Sequence, residues 1–244
     1  MALCPDATIY ISERGKRGLD RFFDTSRWRF RIVKTGDTLN IGKNTLQFIE
    51  TPMLHWPDSM MTWCPEAGIL FSQDGFGQHL ASSARSDDEF SRCVSSVVLD
   101  DAVIDYYANI LMPFGQLILD AIANLKKLGI EPEIIAPDHG VIWRAHPQKV
   151  LDSYVAMASG KADLRAIIVY DTMWHSTEQM TVPIAEGIRD SGVDCRVLKL
   201  RATPMNVIIK EFWKARGTLF GTPTLNNIMY PTVAECLTHL RGLR

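Results

Sequence analysis

Short apolar runs separated by turn-forming residues fill the first 160 positions of the chain. Brief apolar runs bounded by glycine, proline or polar clusters are typical of β-strands. They predict strands at 7–12, 29–34, 45–50, 59–64, 68–71 and 133–136. Helices are predicted at 13–23, 91–107, 114–128 and 147–158.

Turn-forming residues indicate where several of these elements end. Pro65-Glu66-Ala67-Gly68 has the residues of a hairpin turn, so the strands on either side of it are predicted to pair. Pro113 lacks a backbone donor and separates two of the predicted helices. Gly129 predicts the end of the helix that precedes it, because glycine readily adopts a left-handed conformation.

The pattern changes after the short polar segment 159–163, which is the best candidate for a linker. Continuous apolar strands are predicted at 165–170, 195–200 and 218–220. They alternate with helices predicted at 178–190, 205–215 and 232–243. Strands that alternate with helices indicate a parallel sheet with right-handed crossovers. The chain is therefore predicted to hold two domains, at 1–160 and 164–244.

Composition excludes several classes of function. Of the 244 residues 46% are hydrophobic and 22% are charged, as in an ordinary globular protein. The formal charge of −2 gives little support for nucleic-acid binding. No apolar run approaches the roughly 20 residues that cross a bilayer, and the N-terminus lacks the pattern of a signal peptide.

The five cysteines are scattered, and none forms a Cys-x-x-Cys pair. This spacing argues against a disulfide framework, a thiolate zinc site and a fused rubredoxin module. We therefore expect a cytoplasmic protein.

Imidazole and carboxylate side chains stand at the ends of predicted strands. His55 lies in a proline-punctuated loop, Asp74 ends the second strand of the hairpin, and His139 follows the strand at 133–136. Such residues suit a borderline metal such as iron or zinc if their loops converge over one sheet. His79 and His146 are interpreted as a surface-loop residue and a helix-start residue.

A second group of polar residues lies at strand ends in the later part of the chain. The strand at 165–170 is followed by Asp171-Thr172-Met173-Trp174-His175-Ser176-Thr177 and then by a helix. Hydroxyls and backbone N–H groups at a helix N-terminus form a natural phosphate cradle. The third strand is followed by 221–227, GTPTLNN. Open α/β sheets bind ligands at such carboxyl ends of parallel strands.

Three motifs resemble those of the flavodiiron proteins: HWPDS at 55–59, LFSQDGFGQH at 70–79 and APDHGVIWR at 136–144. These proteins, also called A-type flavoproteins, fuse a diiron domain of the metallo-β-lactamase fold to a flavodoxin-like domain. The resemblance covers nearly the whole chain. It implies an α/β protein in which the C-terminal half of a metallo-β-lactamase-like αββα domain precedes a partial flavodoxin-like parallel α/β domain.

The resemblance implies an iron site and a reaction. His55 and His139 would each ligate one iron, and Asp74 would bridge the pair. Electrons would pass from a separate donor, either rubredoxin-like or a reduced flavin or deazaflavin, through FMN to iron. O2 would be reduced to water, or NO to N2O. FMN of one subunit would lie against the iron site of the other in a head-to-tail homodimer.

The resemblance also implies an FMN site built from two loops. Thr172, Ser176 and Thr177 stand where hydroxyl residues hold the FMN phosphate, and His175 replaces the glycine of an ordinary flavodoxin. The second loop would lie along the isoalloxazine. The implied flavin contacts are Thr172, Met173, Trp174, His175, Ser176, Thr177, Thr222, Pro223, Thr224, Leu225 and Asn226.

The sequence departs from the family in its ligand set and its extent. The family's remaining iron ligands come from a His-x-Glu-x-Asp-His motif, and this sequence contains no such motif. Met1 falls midway through the family's metal domain, and Arg244 follows only three of five strand–helix units. We therefore expect a truncated or split member, and a companion chain that supplies the missing half if the protein is active.

Two other functions stay open from the sequence. The first is a metal-dependent hydrolase of the β-lactamase-like fold, in which metal-bound water attacks a thioester or phosphoester. A flavin-binding domain makes sense only for electron transfer and argues against it. The second is a non-catalytic fragment that binds FMN or associates with an intact homologue.

Overall fold

The computed structural model describes Cys4 and residues 6–243. The chain separates into two compact units. The first comprises Met1–Val103 and Phe114–Ser159, and the second comprises Ile104–Pro113 and Gly160–Arg244. The segment Ile104–Pro113 thus packs with the later part of the chain although it lies within the earlier part of the sequence.

The first unit begins with two parallel strands, β1 (Thr8–Ile11) and β2 (Arg29–Ile32), joined through helix α1 (Glu13–Phe22). A five-stranded sheet follows, with the order β3-β4-β5-β6-β7. Neighbouring strands in it are antiparallel except β6 and β7, which are parallel. Its strands are β3 (Thr38–Asn40), β4 (Thr45–Glu50), β5 (Met60–Cys64), β6 (Ile69–Gln73) and β7 (Ile134–Pro137).

The predicted hairpin is confirmed as the pair β5 and β6. A short 3-10 helix, Pro65–Ala67, makes the turn, and Gly68 closes it with a φ of 63°. Apolar side chains that alternate along these strands are buried, including Met61, Trp63 and Leu70. This burial explains why the apolar runs located the strands. Strand β3 was not predicted, because three residues are too few to show a period.

Four helices complete the first unit or lead out of it: α2 (Asp87–Cys93), α3 (Ser96–Tyr106), α4 (Gly115–Lys127) and α5 (Pro147–Ala158). The single helix predicted at 91–107 is wrong, since the chain breaks between α2 and α3 at Val94. Between α3 and α4 the chain forms a π-helical turn at Tyr107–Leu111 and a 3-10 turn at Met112–Phe114. Gly129 ends α4 with a φ of 69°, as predicted.

The helical stretch Ser96–Lys127 is the one candidate membrane span among residues 6–243, by length and composition alone. It is not a single apolar run, because Asp100, Asp101 and Asp105 interrupt it. Its apolar residues Leu99 and Ile118 are buried within the protein. A core helix of a globular domain has these properties as well.

The second unit confirms the predicted alternation of strands and helices. Its parallel sheet has the order β10-β8-β9. Buried Ile167 and Val169 of the central strand pack against Ile208 and Cys236 of the helices. The elements are β8 (Asp163–Tyr170), α6 (Ser176–Asp190), β9 (Asp194–Lys199), α7 (Met205–Lys214), β10 (Ala215–Gly221) and α8 (Pro231–Gly242).

A small hairpin between β10 and α8 was not predicted. Its strands are β11 (Thr224–Leu225) and β12 (Ile228–Met229). Asn226 and Asn227 form the turn, with φ values of 50° and 63°. Two consecutive residues with positive φ are typical of a type I′ turn, which matches the twist of a hairpin.

Candidate functional site

The structure brings the three predicted metal ligands together in the first unit. Asp74 follows the end of β6 and is 7% exposed. His139 Nε2 lies 3.0 Å from Asp74 Oδ1, and His55 Nε2 lies 3.4 Å from Asp74 Oδ2. Each imidazole therefore faces a different oxygen of one carboxylate. Both contacts are at ion-pair or hydrogen-bond distance, and they place the imidazole and carboxylate donors that a borderline metal prefers at one point.

Tight loops at the ends of the strands position His55 and Asp74. His55 lies in the connection between β4 and β5, where the Thr51 N–H donates to the Ser59 carbonyl at 2.9 Å. After β6, the Ser72 hydroxyl donates to the Gly75 carbonyl at 2.6 Å and closes a turn around Asp74. Because β4, β5 and β6 are neighbours in one sheet, these two loops emerge close together.

A buried glutamine connects the Asp74 loop to the His139 loop. Gln78 is fully buried, and its backbone N–H donates to the His139 carbonyl at 3.3 Å. Its side-chain Oε1 accepts the Val141 N–H at 2.8 Å. Gln78 thus holds the chain on both sides of Gly140. Sequence reasoning did not single out Gln78, and its only signal was its place within the LFSQDGFGQH motif.

A second buried side chain, Asp87, anchors the segment that follows the His139 loop. Its carboxylate accepts backbone N–H groups from Arg144, Ala145 and His146 at 2.9–3.0 Å, and the His146 ring lies 3.0 Å from it. Burial acts to raise the pKa of Asp87, but these hydrogen bonds outweigh it and lower the pKa below its ordinary value. His146 directly precedes α5, as predicted for a helix-start residue.

These residues do not form a complete metal centre. His79 is exposed, and its ring lies edge-on to that of His139 with centroids 5.4 Å apart. Even so, no group of three or more His, Cys, Asp or Glu side chains in the described part of the chain could hold a metal ion. The chain offers one carboxylate with an imidazole at each oxygen, which is too few ligands for two irons. The roles of His55, Asp74 and His139 as ligands stay a prediction.

The two predicted flavin loops begin side by side in the second unit. Tyr170 at the end of β8 pairs with Gly221 at the end of β10, and the Asp171 N–H donates to the Gly221 carbonyl at 3.1 Å. A Cβ atom on Gly221 would lie 2.9 Å from side-chain atoms of Tyr170 and Thr177. Glycine therefore permits the close approach of the two strand ends.

The first loop carries a polar atom that lacks a partner. The Thr172 hydroxyl is buried and has no hydrogen-bond partner among the described residues. Ser176 begins α6, and Thr177 is buried in the first turn of that helix. An orphaned hydroxyl beside a helix N-terminus fits an anionic ligand such as a phosphate monoester. Trp174, by contrast, is 85% exposed.

His175, where the resemblance leads one to expect glycine, has a left-handed conformation with a φ of 66°. Its Nδ1 lies 2.7 Å from a carboxylate oxygen of Glu178. Hydrogen bonds from His175, then from Tyr170 and Lys199, lower the pKa of Glu178 to about 2. Glu178 therefore stays ionised at neutral pH, and the Lys199 ammonium 3.2 Å away offsets its charge.

The second loop is held by its own hydrogen bonds. The Thr222 hydroxyl accepts the Tyr230 N–H at 3.0 Å and donates to the Pro223 carbonyl at 2.9 Å. Thr224 and Leu225 then form β11, and Asn226 begins the turn of the hairpin. The loop presents an ordered surface beside the first loop. Its role in contacting a flavin stays a prediction.

Comparison with known proteins agrees with this fold. The ODP family beta lactamase model matches residues 1–140. The nitric oxide reductase of Moorella thermoacetica is 42% identical over 244 residues, which are 100% of this chain and 60% of that protein. The solved rubredoxin oxygen:oxidoreductase of Desulfovibrio gigas superposes with a TM-score of 0.92 at 38% identity, over 99% of this chain and 61% of that one.

A third relative is the flavodiiron protein of Giardia intestinalis, whose crystal structure superposes with a TM-score of 0.90 at 33% identity. The match covers 98% of this chain and 57% of that one. The chain therefore spans 57–61% of the length of these three relatives.

Proposed function

Because this chain belongs to the ODP family of β-lactamase-like proteins, we propose that it is part of a flavodiiron-type oxidoreductase. The reaction is the reduction of O2 to water or of NO to N2O, with electrons from a separate donor that is rubredoxin-like or a reduced flavin or deazaflavin. The observation that carries the proposal is the meeting of His55, Asp74 and His139 around one carboxylate. The reductase activities in the names of its relatives agree with it.

In this proposal residues 1–160 are the metallo-β-lactamase-like domain and residues 164–244 are the flavodoxin-like domain. FMN, when bound, supplies one- and two-electron redox chemistry. Thr172, Ser176 and Thr177 hold its phosphate, and the backbone between them contributes N–H donors. The loop at 222–226 lies along the isoalloxazine.

His55, Asp74 and His139 are too few ligands for a diiron centre. Residues 1–244 contain no His-x-Glu-x-Asp-His motif, so a diiron centre needs further ligands beside His55, Asp74 and His139, from another segment or from a companion chain. A head-to-tail homodimer alone repeats the same three ligands and leaves the motif missing. The cytoplasm suits the five free cysteines, since thiols persist in a reducing compartment.

FMN binding is the first test. Purified protein mixed with FMN should retain the flavin through gel filtration and absorb at about 450 nm, a property of the cofactor. Replacing Thr172 by valine keeps the shape but removes the orphaned hydroxyl, and should weaken FMN binding by about ten-fold. Thr238→Val is the matched control, because that hydroxyl donates to the Ala234 carbonyl within α8. Equal affinities of the two variants would contradict the assigned role of Thr172.

Metal content tests the iron part of the proposal. The chain purified alone after expression with added iron should contain fewer than two irons per chain, because too few ligands are present. His139→Ala should lower whatever iron remains, whereas His239→Ala, on the exposed side of α8, should not. Two irons per chain in the isolated protein would show that residues 1–244 hold a diiron centre without further ligands.

A second candidate is a non-catalytic chain that binds FMN and associates with a homologue. The lack of a complete group of metal ligands among the described residues favours it. Oxygen consumption with NADH and a flavin reductase separates the two functions. Uptake above that of the reductase alone supports the oxidoreductase, and FMN binding without uptake, even after a chain carrying the missing motif is added, supports the non-catalytic chain.

A further inference from the structure

An arginine outside both predicted flavin loops donates hydrogen bonds to the first two residues of the first loop. Arg201 lies in the 3-10 turn Leu200–Ala202, which directly follows β9. Its Nε donates to Asp171 Oδ1 at 2.8 Å, and its Nη2 lies 2.8 Å from the same carboxylate. Nη2 also donates to the Thr172 carbonyl. One guanidinium therefore fixes both a side chain and the backbone at the first two positions of the loop.

The Asp171 carboxylate is fully buried, and both of its oxygens accept hydrogen bonds. The Thr172 N–H donates to Asp171 Oδ1 at 2.7 Å, and the Thr232 hydroxyl donates to Oδ2 at 2.6 Å. Burial acts to raise the pKa of Asp171, but the hydrogen bonds from Thr232 and Arg201 outweigh it and lower the pKa. The carboxylate is thus a charged anchor in the protein interior. Removal of the cation from such a pair leaves a buried charge uncompensated.

An aromatic ring also lies against the Arg201 guanidinium. Arg201 lies over the ring of Tyr230 at 5.6 Å from its centroid. Tyr230 is itself fixed, because its N–H donates to the Thr222 hydroxyl at 3.0 Å. Arg201 is half exposed, so its side chain is held by these contacts and not by burial.

One side-chain polar atom of the segment Asp171–Thr172 lacks a partner among the described residues. The Asp171 carboxylate, the Thr172 N–H and the Thr172 carbonyl are all paired within the network, whereas the Thr172 hydroxyl has no partner among the described residues. We propose that Arg201 is a positioning residue for the phosphate of FMN. Arg201 fixes the segment Asp171–Thr172 so that the Thr172 hydroxyl meets the phosphate. The role rests on the proposed function, since it presumes that the loop binds FMN.

The test compares FMN with riboflavin, which has the same ring system but no phosphate. Dissociation constants are measured by quenching of flavin fluorescence for the wild type and for Arg201→Gln. The substitution should weaken FMN binding by about ten-fold or more and change riboflavin binding by less than about two-fold. Arg216→Gln is the matched control, because Arg216 is an exposed arginine on β10. It should leave both affinities unchanged.

A second pair of variants separates positioning from general damage to the fold. Arg201→Lys keeps the charge but loses the forked geometry, so its FMN affinity should fall between those of the wild type and Arg201→Gln. Thr232→Val removes only the hydrogen bond to Asp171, and it should weaken FMN binding several-fold while riboflavin binding is kept. Thermal unfolding of each apo-protein shows whether it is folded.

Two outcomes would contradict the role of Arg201, and a third would contradict the proposed function. Unchanged FMN affinity in both Arg201→Gln and Thr232→Val would overturn the role of Arg201. An equal loss of FMN and riboflavin binding would do the same, because it indicates a structural role without selectivity for phosphate. A wild type that binds neither flavin would overturn the proposed function itself. That failure is distinct, because it is seen before any variant is made.

Discussion

Replacement of Gly140 by alanine should lower the free energy of unfolding by about 3–5 kcal/mol. Gly140 has a φ of 80°, a conformation that side chains with a Cβ rarely adopt. The new Cβ atom would lie 2.1 Å from Gln78 Oε1 and 2.7 Å from the Gln78 backbone carbonyl oxygen. The substitution therefore combines backbone strain with a steric clash.

The clash cannot be relieved without breaking hydrogen bonds of Gln78. Gln78 is fully buried, and its Oε1 is occupied by the Val141 N–H. Moving the Gln78 backbone would break its hydrogen bond to the His139 carbonyl. Since His139 faces Asp74, the alanine variant should also disturb the predicted metal ligands. Equilibrium unfolding in urea measures the loss of stability.

Gly129→Ala is the matched control for this prediction. Gly129 has a similar φ of 69°, but no atom of the described residues beyond its chain neighbours lies within 4 Å of the position that an alanine methyl would take. Its cost should be about 1 kcal/mol, from the backbone alone. Equal losses of stability in the two variants would show that the clash with Gln78 does not contribute to the effect.

Elements with a local signal were predicted well from the sequence. Strand β4 and helix α5 have the predicted bounds, Thr45–Glu50 and Pro147–Ala158. In α5, Pro147 occupies the first helical position, where its fixed φ and missing N–H cost nothing. The alternation in the second unit was equally clear, because buried parallel strands are continuous apolar runs.

Elements without such a signal were missed. The break between α2 and α3 lies within a stretch without proline or glycine, so no helix-breaking residue marked it. The hairpin β11–β12 did carry a signal, since Asn226 and Asn227 both tolerate positive φ. Its strands are only two residues long, and the pattern of the flanking residues could not reveal them.

The candidate sites divide in the same way. Strand-end position located His55, Asp74 and His139, and resemblance assigned their roles. Residues that position the loops were not found, because their partners are distant in sequence. Gln78 meets Val141 across 63 residues, and Asp87 meets Arg144 across 57. A buried polar side chain has no period that would reveal such a partner.

The second large effect is expected at Asp87. Asp87→Ala should lower the free energy of unfolding by about 3–4 kcal/mol, because it leaves three backbone N–H groups without an acceptor. They belong to the consecutive residues Arg144 to His146, so the segment after the His139 loop would lose its anchor. Urea unfolding at neutral pH measures the effect. Asp152→Ala is the control, since Asp152 is an exposed residue of α5 that accepts a hydrogen bond from the Gln148 side chain one turn earlier.

The same variant has a predicted pH dependence with a definite sign. The pKa of Asp87 is lower in the folded protein than its ordinary value of about 3.9. Its ionised form therefore stabilises the fold fully above that ordinary value, and the contribution disappears as the pH falls through the lowered pKa. The stability difference between the wild type and Asp87→Ala should be constant near neutral pH and shrink in strong acid. A difference that instead grew on acidification would mean that protonated Asp87 is the stabilising form.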